Sequence, residues 1–173
     1  MAAPAEMPWT TDPEVEKYLS ELPSGYRFRP TDGELVVDYL RNKILEVPMP
    51  LNRIRTFKIY DSHPFELYRK FVRKMYGAIA RENACYFFTT RKKKYPKGTR
   101  TDRTAREGFW KSTTVDLAVV VGDTTVGWKR SLVYHEGPAA ESVKTDWLMQ
   151  EYTLNYNSLP TPITKRVSNN FTL

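Results

Sequence analysis

Leu35, Val36, Tyr39, Leu40 and Ile44 recur at helical spacing, so one side of that segment is apolar. Just ahead of it, Thr31 and Glu34 form a capping-box pattern, with Pro30 in front. A helix is therefore predicted to open at Thr31. A second helix is expected from His63 to about Met75, started by Asp61 or Ser62 and Pro64. A short one is expected in TDPEVEKYL, capped by Thr11 or Asp12, with Pro13 suiting the first turn. Leu22-Pro23-Ser24-Gly25 breaks it. Tyr26, Arg27, Phe28 and Arg29 then alternate aromatic and basic, a strand-like pattern.

From Cys85 onward the period changes. CYFFTT is aromatic and β-prone, and GFWKSTTV, LAVVV, TVGWKRSLVYH and DWLMQEYTL follow it. Gly122-Asp123, between Val121 and Thr124, reads as a hairpin turn, and Gly137-Pro138 ends a strand. Helices first and strands after predict an α+β domain with an antiparallel sheet of five or more strands. Residues 1–19 read as a tail with a short helix, 20–155 as the domain, and 156–173 as a polar tail with prolines.

Charge adds a location. The chain has 173 residues, enough for one domain with a real core, and is 40% hydrophobic with a net charge of +7. Between Arg91 and Lys111 there are nine basic residues and two acids, Asp102 and Glu107. The remainder holds 18 Lys/Arg and 18 Asp/Glu and sums to zero, so this one window carries the whole net charge. A neutral body with one cationic face is the footprint of a polyanion binder. The window is not placed like a free tail. It leaves CYFFTT, passes the turn formers Pro96-Lys97-Gly98, and enters GFWKSTTV. A loop tied at both ends presents cations at fixed positions, and a basic strand can lie in the major groove of B-DNA. The alternatives are a solvated loop, a nuclear-import signal in Arg91–Lys94, and RNA binding, for which no stacking motif is visible. Phe109 and Trp110 are adjacent, so on a strand they face opposite ways, one to the core and one toward the basic surface.

Other chemistry is sparse. Cys85 is the single cysteine, fits a small buried hydrophobe, and suits a reducing compartment. His63 and His135 lack metal-ligand spacing, so no metal is expected. No nucleophile–base set or phosphate loop stands out, so an enzyme is not expected, nor is a cofactor. The N-terminal residues carry no secretory signal pattern, and the longest aliphatic run, Leu117–Val121, is too short for a membrane helix. The expectation is a soluble, intracellular protein with no membrane partner.

Several blocks, in order, resemble the plant NAC domain: LPSGYRFRPTDGELVVDYL, then YFF, KYPKGTR, FWKST, VGWKRSLVYHEG and VKTDWLMQEY, over roughly residues 20–155. The resemblance implies a transcription-factor DNA-binding domain in the nucleus. Its fold would be a twisted antiparallel sheet flanked by a few helices, related to the WRKY domain, with one strand in the major groove. It implies double-stranded DNA with CGT-type core sites as ligand. The matching contact positions are Lys94, Arg100, Arg103, Phe109, Lys111 and Thr113. Lys111 and Thr113 would be strand-borne contacts, and Lys94, Arg100 and Arg103 phosphate or groove-edge contacts. It also implies a homodimer, or a heterodimer with other NAC proteins, through Leu22, Tyr26, Arg27, Phe28 and Glu34, with Arg27 and Glu34 pairing between subunits. Glu34 has a second role open to it, the helix cap. The alternative is a short interaction module that heterodimerises and binds DNA weakly.

This chain departs from the family's WKATGxDK in reading WKSTTVDL. Thr114 stands where the family has Gly and Leu117 where it has Lys. A β-carbon at Thr114 is expected to push the backbone away from the groove, and Leu117 to lose a phosphate cation. Gly33 replaces a usual Glu, and GPAAESVK replaces a more basic loop.

Overall fold

The computed structural model describes residues 13, 17, 21, 23, 25–26, 28–52, 54–69, 84–90, 92–93, 101–159 and 171–172, with backbone alone at 92–93, 101 and 171–172. The capping box at Thr31 is formed. The Thr31 hydroxyl accepts from the Glu34 N–H, and the Glu34 carboxylate accepts from the Thr31 N–H. The helix that follows, α1 (32–45), begins with a regular turn, Asp32–Glu34. It then widens into a π-type stretch, Leu35–Leu40, and returns to α geometry at Arg41–Leu45. The Arg41 N–H reaches back five residues to the Val36 carbonyl. Glu46, in the left-handed region, ends the helix by donating to the Asn42 and Lys43 carbonyls. The apolar side buries Leu35, Val36, Tyr39, Leu40 and Ile44, each about 2 kcal/mol of transfer free energy.

The strand pattern after Gly108 also appears as expected. β8 (Thr124–Glu136) is the axis of the main sheet. β6 (Gly108–Ser112) and β7 (Leu117–Val121) pair antiparallel with successive halves of it, and β9 (Val143–Leu154) also pairs with it antiparallel. β5 (Thr104–Ala105) extends the sheet beyond β6. The Gly122-Asp123 turn joins β7 to β8, with Gly122 at φ +59°. The result is a five-stranded antiparallel sheet with helices upstream, an α+β fold.

Cross-strand partners share a face. Val119, Gly127 and Leu154 form one row beneath α1, and Leu117, Lys129 and Tyr152 the next. Val36, Leu40, Phe88, Val119, Tyr152 and Leu154 belong to one buried cluster there. At Gly127 a β-carbon would meet the Thr153 carbonyl and Val36, so helix and sheet approach closely because that side chain is absent. The opposite face carries Trp110, Leu132 and Tyr134, packed with Ile59, Tyr60, Leu67 and Ala105. Cys85 lies half-buried against this second cluster.

Four expectations are revised. CYFFTT does not join the main sheet. Its strand β2 (Phe87–Thr90) lies between a parallel partner, β1 (Arg55–Thr56), and an antiparallel one, β10 (Phe171–Thr172), with Phe88 and Thr89 buried. Tyr26, Phe28 and Arg29 form no ladder; Phe28 instead packs edge-on against Tyr39 and Tyr86, at 5.5 and 5.4 Å. The second helix is described at 64–69, and His63 opens it rather than Asp61 or Ser62. The His63 Nδ1 accepts from the Phe65 N–H at 3.1 Å, while Asp61 belongs to a preceding 3-10 turn, Ile59–Asp61. Packing also continues past Asn155, since a 3-10 turn, Tyr156–Ser158, leads to the buried Leu159. Most of the expected helix in TDPEVEKYL lies outside the described residues, which include only Pro13 and Lys17 as helical.

Candidate nucleic-acid interface

The basic window begins in a hairpin. β3 (Lys92–Lys93) pairs antiparallel with β4 (Thr101–Asp102), so residues 94–100 are bracketed by a ladder. Lys94 and Arg100 lie inside that bracket, outside the described residues. The chain then passes Arg103 and β5, turns at Arg106-Glu107, and runs back as β6. Asp102 steadies this passage by accepting from the N–H and hydroxyl of Thr104.

Along β6 the side chains alternate as a strand requires. Trp110 is buried in the second cluster, while Phe109 and Lys111 face the other way. Phe109 stacks on His135 across the ladder, rings 5.4 Å apart and 19° from parallel. Lys111 is exposed, and its row continues through Val133 to Leu148, itself 61% exposed. No ion pair of Lys111 occurs among the described residues. The inner edge of β6 is bonded to β8, but β5 covers its outer edge only at Gly108 and Phe109. The Trp110 N–H donates to the Arg103 carbonyl at 2.9 Å. Beyond Trp110, the outer edge at Lys111 and Ser112 has no ladder partner among the described residues.

Arg103 is turned inward. Its Nη2 donates at 2.8 Å to the Glu151 Oε2, and the Tyr60 hydroxyl donates at 2.8 Å to the Oε1. Glu151 is 3% exposed and the Arg103 side chain 15%. Burial, reinforced by the neighbouring Glu151 carboxylate, pushes the Tyr60 phenol far above its ordinary range. Nothing in the residue types singled out Glu151 or Tyr60. The one available signal was a carboxylate inside the apolar strand DWLMQEYTL.

The stretch after β6 is tied to β8 by backbone and side-chain bonds. The Thr113 N–H donates to the Ser131 carbonyl at 2.9 Å. The Thr114 hydroxyl accepts from the Ser131 N–H at 3.0 Å, and the Ser112 hydroxyl donates to the Thr114 carbonyl. Asp116 takes a two-pronged grip from Arg130, both contacts 2.6 Å, which raises the Arg130 pKa. Thr114 is exposed and has no positive φ, so the backbone at this position requires no glycine. Leu117 is 53% exposed.

Of the expected dimer residues, Leu22 and Arg27 lie outside the described residues. Tyr26 is exposed and Phe28 half-buried. Both bonds from Thr31 end on one oxygen of Glu34, its Oε2, at 2.6 and 2.9 Å. These bonds hold the Glu34 carboxyl below its usual range. No group of three or more His, Cys, Asp or Glu that could hold a metal occurs among the described residues. No described helix is long and apolar enough to cross a membrane.

The chain is 43% identical over 136 residues to NAC transcription factor 29 of Arabidopsis thaliana, covering 79% of this chain and 48% of that protein. It is 41% identical over 141 residues to NAC domain-containing protein 1 of Solanum lycopersicum, covering 82% of this chain and 48% of that one. It is 42% identical over 141 residues to NAC transcription factor ONAC010 of Oryza sativa subsp. indica, covering 80% and 32%. The chain thus spans about half the length, or less, of these relatives. Residues 23–154 match the family model of the No apical meristem (NAM) protein. That match takes in α1, the basic hairpin and the whole of the main sheet, and by it the chain belongs to the No apical meristem family of plant NAC-domain proteins.

Proposed function

We propose that this chain reads double-stranded DNA in a sequence-specific manner, as a dimer, and thereby regulates transcription in the nucleus. The observation that carries the reading is where the charge leads. The window with the whole net charge runs directly into β6, whose outer edge has no ladder partner at Lys111 and Ser112 among the described residues. The major groove, about 12 Å wide, admits a strand presented in this way. Lys111 and Thr113 supply the contacts from the strand and its continuation, with Phe109 beside them. Lys94 and Arg100 belong to the cationic flank that sets register against phosphates, while Arg103, matched to a contact position by the resemblance, is turned inward onto Glu151. Two relatives are named as transcription factors, which supports the regulatory role. The site has a CGT-type core, and the reading requires no cofactor, no metal and no catalytic chemistry.

Dimerisation uses Leu22, Tyr26, Arg27, Phe28 and Glu34, with a second copy or another NAC protein as partner. The cap bonds of Glu34 use its Oε2, so its Oε1 remains for Arg27 of the other subunit. A two-fold dimer would engage paired half-sites. Arg27→Glu is expected to weaken the dimer, and an unchanged sedimentation coefficient at low concentration would remove this assignment.

The decisive test is fluorescence anisotropy with a duplex bearing two CGT-type half-sites and a scrambled duplex, across salt. Neutralising about five phosphates gives a log–log salt slope near −4.5. Strong preference for the half-site duplex is the expected outcome. Weak, equal binding to both would favour a heterodimerising interaction module instead. The exposed Leu117, where the family pattern has a cation, is the feature that keeps this second reading open.

A further inference from the structure

We propose that Arg103 serves DNA binding from inside the protein, as a positioning residue. Through the buried carboxylate of Glu151, together with Tyr60, it fixes β6 so that Lys111 is presented at a set height above the sheet. The proposal rests on the reading of β6 as the DNA-facing strand.

Arg103 touches both flanks of the sheet's axis. Its carbonyl accepts the Trp110 N–H on the outer edge of β6, while its guanidinium reaches Glu151 on β9, beyond β8. Glu151 pairs with Arg130 of β8 in the register. It therefore lies on the face of Trp110, opposite Lys111. β6 is thus bonded to β8 on one edge, to Arg103 on the other, and packed below through Trp110. Among the described residues, the parts left without a partner are the Lys111 side chain and the edge past Trp110.

The chemistry explains why the anchor is strong. A carboxylate this deeply buried is tolerated only when paired and hydrogen-bonded, and both of its oxygens are occupied here. Removing either partner strands a charge. A guanidinium committed to this pair, and mostly covered, has little left to offer a phosphate. Arg103 also directly follows Asp102, the last residue of β4, so the same anchor sets the base of the basic hairpin.

The test uses the whole chain with Arg103→Gln, Glu151→Gln, their double variant, and Tyr60→Phe. Affinity for the half-site duplex is measured across salt, and hydrogen exchange of the Trp110 amide is measured without DNA. Circular dichroism checks folding. Arg103→Gln and Glu151→Gln are each expected to weaken half-site binding roughly tenfold, the size of one base contact misplaced. The double variant should be no worse than either single one. The salt slope should not change, and Trp110 exchange should accelerate in all three. A direct phosphate contact by Arg103 would instead make the slope of Arg103→Gln shallower by about 0.9. It would also let Glu151→Gln, which frees the guanidinium, bind as well as or better than the parent. Either result overturns the proposal. If the charge-changing variants fail to fold, Tyr60→Phe decides, since it removes one hydrogen bond and no charge. Faster Trp110 exchange with a roughly threefold loss of half-site affinity supports the anchor, and no change in either overturns it. If the parent binds both duplexes alike, the DNA-reading function itself is overturned and this role with it. The exchange data then still report whether the anchor holds β6.

Discussion

The two ends of one sheet face share a register and treat lysine in opposite ways. At the α1 end, Lys129 bonds Asp32 at 3.0 Å and lies over the Tyr152 ring at 5.6 Å. The Tyr152 hydroxyl donates to the same carboxylate at 2.6 Å. Burial alone would raise the Asp32 pKa, but the bonds from Tyr152 and Lys129 outweigh it and the net shift is down. At the β6 end, Lys111 shares its face with Phe109 and, across Val133, with Leu148, and has no ion pair among the described residues. The covered end uses its charge to dock a helix, and the open end leaves its charge available. The same alternating strand pattern yields a core or an exposed surface according to what lies on top.

The largest test of this contrast is at the covered end. Gly127→Ala places a β-carbon against the Thr153 carbonyl and Val36, and should cost about 3 kcal/mol in urea unfolding. Leu148→Ala at the open end should stay within about 0.5 kcal/mol. Equal costs would mean that the two ends are packed alike. Next comes Lys111→Ala. It should lower preference for the half-site duplex by about 2 kcal/mol while leaving the unfolding midpoint unchanged. A drop in stability instead would place Lys111 in the packing. The smallest effect is Asp32→Asn, about 1 kcal/mol or less because the carboxylate is partly solvated. The Asp32 pKa is depressed below 3.8 in the folded chain. Its contribution is therefore present above pH 3.8 and disappears as pH falls through the lowered value. The gap between parent and variant should close below that pH. A gap that persists in strong acid would show that Asp32 acts through shape and not charge.

Much of the scaffold was legible. The capping box at Thr31, the period of α1 and the Gly122 turn are local signals, read from neighbours a few residues apart. The split of Phe109 and Trp110 between two faces follows from strand geometry alone. What escaped depends on distant segments. CYFFTT reads as a strand, but its neighbours are Arg55–Thr56 and Phe171–Thr172, which no local pattern announces. Tyr26 to Arg29 alternates like a strand in sequence, but Tyr26, Phe28 and Arg29 form no ladder, and Phe28 packs with Tyr39 and Tyr86. The bond that the Thr114 hydroxyl accepts from the Ser131 N–H likewise joins distant segments, and no local pattern announces it.

Residue order by itself determined the α+β class, the helix start, the strand alternation and the concentration of all net charge in one window. These rest on short-range sterics, hydrogen-bonding capacity and solvation, which neighbours in the chain share. Tertiary structure alone decided which cations are committed. Arg103 and Lys111 are eight residues apart in the same basic window, and the sequence offered both as cations facing DNA, one on the strand and one at its flank. Arg103 meets a buried carboxylate on β9 and Lys111 is exposed, because the register puts Glu151 on the sheet face of Trp110 and Lys111 on the opposite face.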